Sequence, residues 1–164
     1  MVLLQTTATS FDATAFALGA GHEPQVLAVP GATLLLAPQS SPTQAAAALN
    51  WLRGFRATGK RLVWFDTTEL SQTPRACLEE WGGRLVAEGG ATCVVATGPQ
   101  GEAAARGARA AGVGLRDASK VVQPMTARNV LCDLISAGDV VLLLGVAREQ
   151  ALWIAERLEA TDLS

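Results

Sequence analysis

Two acidic side chains, Asp66 and Glu69, follow the apolar run RLVWF at 61–65. A short, continuous apolar run is typical of a strand that is covered on both faces of a parallel sheet. Acids at the carboxyl end of such a strand lie at the edge where α/β sheets bind ligands, so both residues are candidates for ligand contacts. The alternative is structural, with Asp66 beginning an Asx turn and Glu69 acting as a solvated loop charge.

The motifs of several common kinds of chemistry are missing from the sequence. There is no GxxxxGK[ST] phosphate loop, no GxGxxG dinucleotide fingerprint and no GxSxG nucleophile turn. The single histidine, His22, has no evident nucleophile partner, and one histidine with three scattered cysteines does not make a typical metal site. Hydrolase, NAD and metal chemistry are therefore weakly supported.

Composition favours one globular domain over 1–164, with 1–20 as an uncertain extension or edge strand. The chain has 164 residues, of which 49% are hydrophobic and 17% charged. A net charge of -2 without a basic tract argues against a nucleic-acid partner. Apolar runs are too short for a membrane span, and no secretory leader is evident. We interpret Cys77, Cys93 and Cys132 as reduced, mostly buried thiols of a cytoplasmic protein.

Strand-like and helix-like segments alternate along the chain, which predicts βαβ units. Ser-Pro and Thr-Pro pairs begin two of the helices, because proline at the first helical position costs no hydrogen bond. The predicted strands are 32–37, 61–65, 92–97 and 139–144, with a short strand at 113–116 and edge strands at 1–8 and 24–29. The predicted helices are 42–56, 74–87, 101–111, 124–135 and 147–158. Right-handed crossovers then give a Rossmann-like three-layer αβα sandwich with a mostly parallel sheet.

Three segments of the chain, 21–49, 60–70 and 137–148, resemble in that order the C-terminal, glutamate-ligase-type domain of the Mur ligase family. The likeness is greatest to the members that add D-alanyl-D-alanine to the UDP-N-acetylmuramoyl tripeptide. In the first segment Pro42 matches the family's turn into a helix, while Gln39 and Ser41 fall where the family has asparagines.

The other two segments match the family in part. Asp66, Glu69 and Leu70 fall in register with a Leu-Gly-Asp-Met-x-Glu-Leu-Gly block. The last segment keeps its glycines and aspartate, but Leu144 replaces the family's lysine and Val146 its serine. The resemblance therefore implies a ligand site with reduced chemistry, formed by Gln39, Ser41, Asp66, Glu69, Gly145 and Arg148. For Gly145 the alternative is a strand-to-helix turn that needs close backbone approach.

The resemblance implies part of an ATP-dependent acid–amino-acid ligase of peptidoglycan synthesis. Leucine cannot supply the ammonium that an acyl phosphate or phosphate oxygen needs, and nothing in the sequence resembles the family's ATPase domain. We therefore expect a domain without catalysis of its own, which meets ATP and Mg²⁺ only when paired with a central ligase domain. The alternatives are a non-enzymatic interaction or homo-oligomerisation module and, less favoured, a small-molecule sensor.

The four tryptophans are a further candidate for partner contacts. Trp51, Trp81 and Trp153 fall in three predicted helices, and Trp64 in a predicted strand, where it is expected in the core. Two or more exposed tryptophans would form an anchor for a partner. A mean hydropathy of +0.26 is high for a monomer and favours such a surface.

Overall fold

A six-stranded sheet forms the centre of the structure, a computed structural model that describes residues 24–37 and 42–161. The strands are β1 (Gln25–Val29), β2 (Ala32–Ala37), β3 (Arg61–Asp66), β4 (Cys93–Thr97), β5 (Ala118–Lys120) and β6 (Val140–Leu144). The helices are α1 (Pro42–Gly54), α2 (Arg75–Ala87), α3 (Gly101–Ala110), α4 (Pro124–Leu134) and α5 (Arg148–Thr161). The strand order is β1-β2-β6-β3-β4-β5.

The sheet is parallel except for β1, which pairs antiparallel with β2. Alternating side chains from the strands enter two separate cores. One core joins the sheet to α1, α2 and α3, and the other joins it to α4 and α5. This arrangement confirms the predicted three-layer αβα sandwich with a mostly parallel sheet.

The predicted strand at 113–116 is wrong, because this segment turns before the last edge strand begins. The N–H groups of Asp117 and Ala118 both donate to the carbonyl oxygen of Gly114, which closes a turn. The strand β5 follows at Ala118–Lys120 and pairs with β4. The edge strand predicted at 24–29 is observed as β1, while the one predicted at 1–8 lies outside the described residues.

The structure corrects one expectation about the cysteines and confirms one about Trp64. Cys93 is buried and Cys132 half-buried, but Cys77 is exposed on α2, so the prediction of mostly buried thiols is wrong for it. Burial raises the pKa of the Cys93 thiol, and the nearby Asp117 carboxylate raises it further. Trp64 is fully buried in the core, as expected.

The helical tryptophans do not form one exposed patch. Trp51 is buried, with 9% of its surface accessible. Trp81 and Trp153 are half-buried and pack against different cores, so the sheet separates them. A joint tryptophan anchor is therefore excluded for these described residues.

The Asp139 carboxylate holds the amino ends of the central strands together. One oxygen accepts the N–H of Lys60 at 2.7 Å, and the other accepts the N–H of Ser136 at 2.8 Å. The Lys60 ammonium lies 3.1 Å from the second oxygen. The side chain of Asp139 is 1% exposed, so these donors replace the water that the carboxylate has lost.

We predict that Asp139→Ala lowers the free energy of unfolding by about 2 kcal/mol, because two partly buried backbone N–H groups lose the carboxylate that accepts from them. Lys60→Ala should cost no more than about 1 kcal/mol, because the ammonium is 45% exposed and its ion pair is screened by solvent. Urea unfolding of both variants measures the difference. Equal losses would contradict the assignment of the stability to the buried backbone contacts.

Helices α2 and α3 cross at backbone contact distance. A Cβ atom built on Gly82 of α2 would overlap the carbonyl oxygen of Ala104, and one built on Gly107 of α3 would overlap that of Glu79. Glycine is therefore required at both positions, since any side chain would push the helices apart.

The neighbouring glycines Gly82 and Gly83 provide a matched pair of substitutions. Gly82→Ala should destabilise the protein by about 2 kcal/mol or more through overlap with α3. Gly83→Ala should stabilise it by up to about 1 kcal/mol, because its Cβ would lie 3.5 Å from the Gly107 oxygen and alanine favours a helix. Thermal unfolding followed by circular dichroism tests the opposite signs, and a loss of stability in both variants would contradict the close crossing.

Candidate functional site

The carboxyl ends of β2, β6 and β3 form the candidate site. The helix that follows β6 packs on one face of the sheet, while those that follow β2 and β3 pack on the other. The chain therefore leaves adjacent strands in opposite directions, which opens crevices on both sides of β6, and ligands of α/β sheets bind in such crevices. Phe65 pairs with Leu144, so the next residues, Asp66 and Gly145, end adjacent strands at the same level.

Asp66 forms a local turn at the end of β3. Its Oδ1 accepts hydrogen bonds from the N–H of Thr68 at 2.8 Å and from the hydroxyl of Thr68 at 2.6 Å. This is the Asx turn that was the structural alternative for Asp66. Glu69 is exposed on the following turn of 3₁₀ helix, Thr68–Leu70. Both residues belong to the loop that follows β3, and their contact with a ligand stays a prediction.

A buried network of hydroxyl groups fixes this loop, and sequence reasoning missed it. The Thr67 hydroxyl donates to the carbonyl oxygen of Thr97 at 2.7 Å and accepts the N–H of Gln100 at 3.1 Å. The Thr97 hydroxyl accepts the indole N–H of Trp64 at 2.9 Å. Threonines are equally common in exposed turns, so their types and spacing gave no signal for this network.

The network predicts unequal roles for adjacent threonines. Thr67→Val should lower the free energy of unfolding by about 1–3 kcal/mol, because the N–H of Gln100 loses its side-chain acceptor and Thr67 is fully buried. Thr68→Val should cost about 0.5 kcal/mol, because its hydroxyl is exposed. Chemical denaturation measures both, and the network is contradicted if Thr67→Val is as mild as Thr68→Val.

Gly145 and Arg148 shape the turn from β6 into α5. Gly145 has a φ of +73°, and its N–H donates to the carbonyl oxygen of Ala37 at the end of β2. Gly145 therefore forms a turn between β6 and α5, which was the structural alternative to a role in ligand binding. Arg148 begins α5, is exposed, and donates from its guanidinium to Oε1 of Gln25. Sequence reasoning missed Gln25 as a partner, because only the antiparallel pairing of β1 with β2 brings the start of β1 to this edge of the sheet.

The two positions where the resemblance predicts lost chemistry are apolar and buried. Leu144 has no accessible surface and Val146 has 6%, and both belong to the cores. Neither presents a polar group to the crevice. Gln39 and Ser41, which complete the predicted site, lie outside the described residues. Of the others, strand pairing brings together Asp66 and Gly145. Glu69 lies on the loop after β3, and Arg148 contacts Gln25 at the β1 edge.

Two further properties bear on the kind of site. Among residues 24–37 and 42–161, no cluster of three or more His, Cys, Asp or Glu side chains could hold a metal ion. Over the same part of the chain, no helix combines the length and the apolar character needed to cross a membrane.

Comparison with solved structures identifies the fold. The MurF ligase of Thermotoga maritima, in complex with ADP, aligns with 85% of this chain at a TM-score of 0.58 and 19% identity. A MurF structure from Acinetobacter baumannii aligns over 85% at a TM-score of 0.63 and 19% identity. The chain covers 30% and 31% of these ligases, or about a third of their length.

This chain covers almost the whole of a third structure. It is a domain assigned to a UDP-N-acetylmuramate:L-alanyl-γ-D-glutamyl-meso-diaminopimelate ligase of Haemophilus ducreyi. The alignment includes 98% of that domain and 85% of this chain, at a TM-score of 0.58 and 16% identity. No protein-family model matches the chain, and no curated protein matches it by sequence. The chain thus has the Rossmann-like fold of the Mur ligase C-terminal domain in a diverged form, as the resemblance predicted.

Proposed function

We propose that this chain acts as a Mur ligase-type C-terminal domain that has no catalysis of its own and works against a separate ATP-binding ligase domain. The partner would bind ATP and Mg²⁺, and this chain would close over them with the crevice beside β6. The pair would join an acid to an amino acid or peptide in peptidoglycan synthesis, which places both in the cytoplasm. The fold supports the domain type, and the MurF comparison structure holds ADP.

The observation that carries the proposal is the apolar replacement of the groups that would serve chemistry at β6. Leu144 and Val146 pack inward, so the end of this strand offers only backbone at Gly145. Developing charge on a phosphoryl or acyl oxygen needs fixed donors or cations. Arg148, which begins the helix after β6, already donates to Gln25. The strand order retains the position of a ligand crevice beside β6, and in this proposal the partner supplies most of the charge.

Site-directed photocrosslinking in the native cells tests the proposed partner. A benzophenone amino acid at the exposed Ala147, beside the crevice, should crosslink to a polypeptide that carries a P-loop ligase domain. The matched control is the same label at the exposed Arg56, near the amino end of β3. Equal products from both positions, or no P-loop ligase among the products of Ala147, would contradict the proposal.

A non-enzymatic interaction module is the second candidate function. The observation that favours it is the same inward packing of Leu144 and Val146, which leaves the fold intact with little chemistry. This candidate predicts that crosslinks from Ala147 reach a protein without a nucleotide-binding domain, or a second copy of this chain. The crosslinked products therefore separate the two candidates.

A further inference from the structure

Two arginine–tryptophan stacks lie on opposite faces of the sheet. In α2, the guanidinium carbon of Arg84 lies 4.3 Å from the ring centroid of Trp81. Between α4 and α5, that of Arg128 lies 4.0 Å from the ring centroid of Trp153. Both distances are within the range of cation–π attraction, so both guanidinium groups are held in place by a ring.

The two stacks differ in the partner of the positive charge. Arg84 donates from Nε to the Glu88 carboxylate at 2.6 Å, which compensates its charge. Arg128 instead donates to the neutral amide oxygen of Gln150 at 3.2 Å, and its buried Nε has no hydrogen-bond partner. Within the described ranges, no carboxylate lies close enough to Arg128 to form an ion pair. Arg128 is thus a pre-oriented cation without a counter-charge, a state that a carboxylate would stabilise.

Two exposed apolar side chains lie at or just before the start of α4, the helix that carries Arg128. Val122 and Met125 expose 75% and 59% of their surfaces. Met125 precedes Arg128 by three residues in α4, so the two side chains share a helix face. We call Val122, Met125, Arg128, Gln150 and Trp153 the α4–α5 patch. Arginine, methionine and tryptophan are among the residue types enriched in protein interfaces.

We infer that the α4–α5 patch docks an acidic segment of a protein partner, with a carboxylate on Arg128 and apolar side chains on Val122 and Met125. A small phosphate ligand would leave both exposed apolar residues in water. A second copy of the chain, docked by the same patch about a two-fold axis, would bring Arg128 towards its own image, and like charges repel. The patch lies on α4 and α5 and adjoins the candidate crevice, since the N–H of Gln150 donates to the carbonyl oxygen of Ala147. The inference concerns this helical surface and the acidic segment it binds, whichever domain carries that segment.

A synthetic peptide provides the direct test. The probe is a dye-labelled helical peptide with leucines on one face and glutamates beside them, and fluorescence anisotropy measures its binding to the full chain. We expect saturable binding that Arg128→Gln weakens about tenfold or more, because the carboxylate loses its cation. Met125→Ser should weaken binding about threefold. Arg84→Gln, the matched control on the other stack, should leave the affinity within about twofold.

The remaining outcomes each overturn the inference. These are equal losses for Arg84→Gln and Arg128→Gln, wild-type affinity for Arg128→Gln, and no binding at millimolar peptide. Inorganic phosphate that displaces the peptide at equal concentration would indicate a small-anion site instead. Sedimentation that shows a dimer dissociated by Arg128→Gln would indicate a second copy as the occupant. Thermal unfolding of each variant ensures that the comparison is made between folded proteins.

Discussion

The insertion of β6 between β2 and β3 is the constraint on which the rest of the structure depends. At the amino end of β6, the buried Asp139 carboxylate accepts hydrogen bonds from the backbone N–H groups of Lys60 and Ser136 and so links β6 to its neighbours. It also sends the chain to opposite faces at the carboxyl end, which opens the candidate crevice. One strand therefore contributes to the stability of the centre of the sheet and fixes the position of the candidate crevice.

The two ends of β6 have opposite chemical characters. At the amino end, a carboxylate matched to backbone donors serves the fold, and Thr33 also donates to the carbonyl oxygen of Asp139. At the carboxyl end, Leu144 and Val146 join the cores where a ligase site would need donors. The sheet thus has satisfied buried polar contacts at one end of β6 and few polar side chains at the other. This contrast is why the proposed function assigns the catalytic groups to a partner.

Much of the fold followed from local signals in the sequence. Continuous apolar runs such as ATLLLA predicted strands buried on both faces, and the observed β2 has the same bounds. The short edge strand β5 was misplaced, because Ala118–Lys120 carries no apolar run and is defined by pairing with β4. Its true position depends on the Gly114 turn, which residue types alone specify weakly.

The candidate site was less predictable than the fold. Asp66 and Gly145 were found because each follows a recognisable strand, and the structure places them side by side at adjacent strand ends. The contacts of Thr67 with Thr97, of Arg148 with Gln25 and of Arg128 with Trp153 join residues far apart in the chain. Such pairs come from tertiary packing, and a single sequence carries no periodic signal for them.

The central claim, a ligase-type crevice without its own means of binding nucleotide, is tested most directly by titrating the isolated chain with ATP and Mg²⁺. Calorimetry measures the binding, and tryptophan fluorescence reports on Trp64, two residues from Asp66. The account predicts no saturable binding up to millimolar nucleotide and no ATP hydrolysis. Saturable binding that Asp66→Ala abolishes would contradict it, since the crevice would then hold nucleotide without a partner.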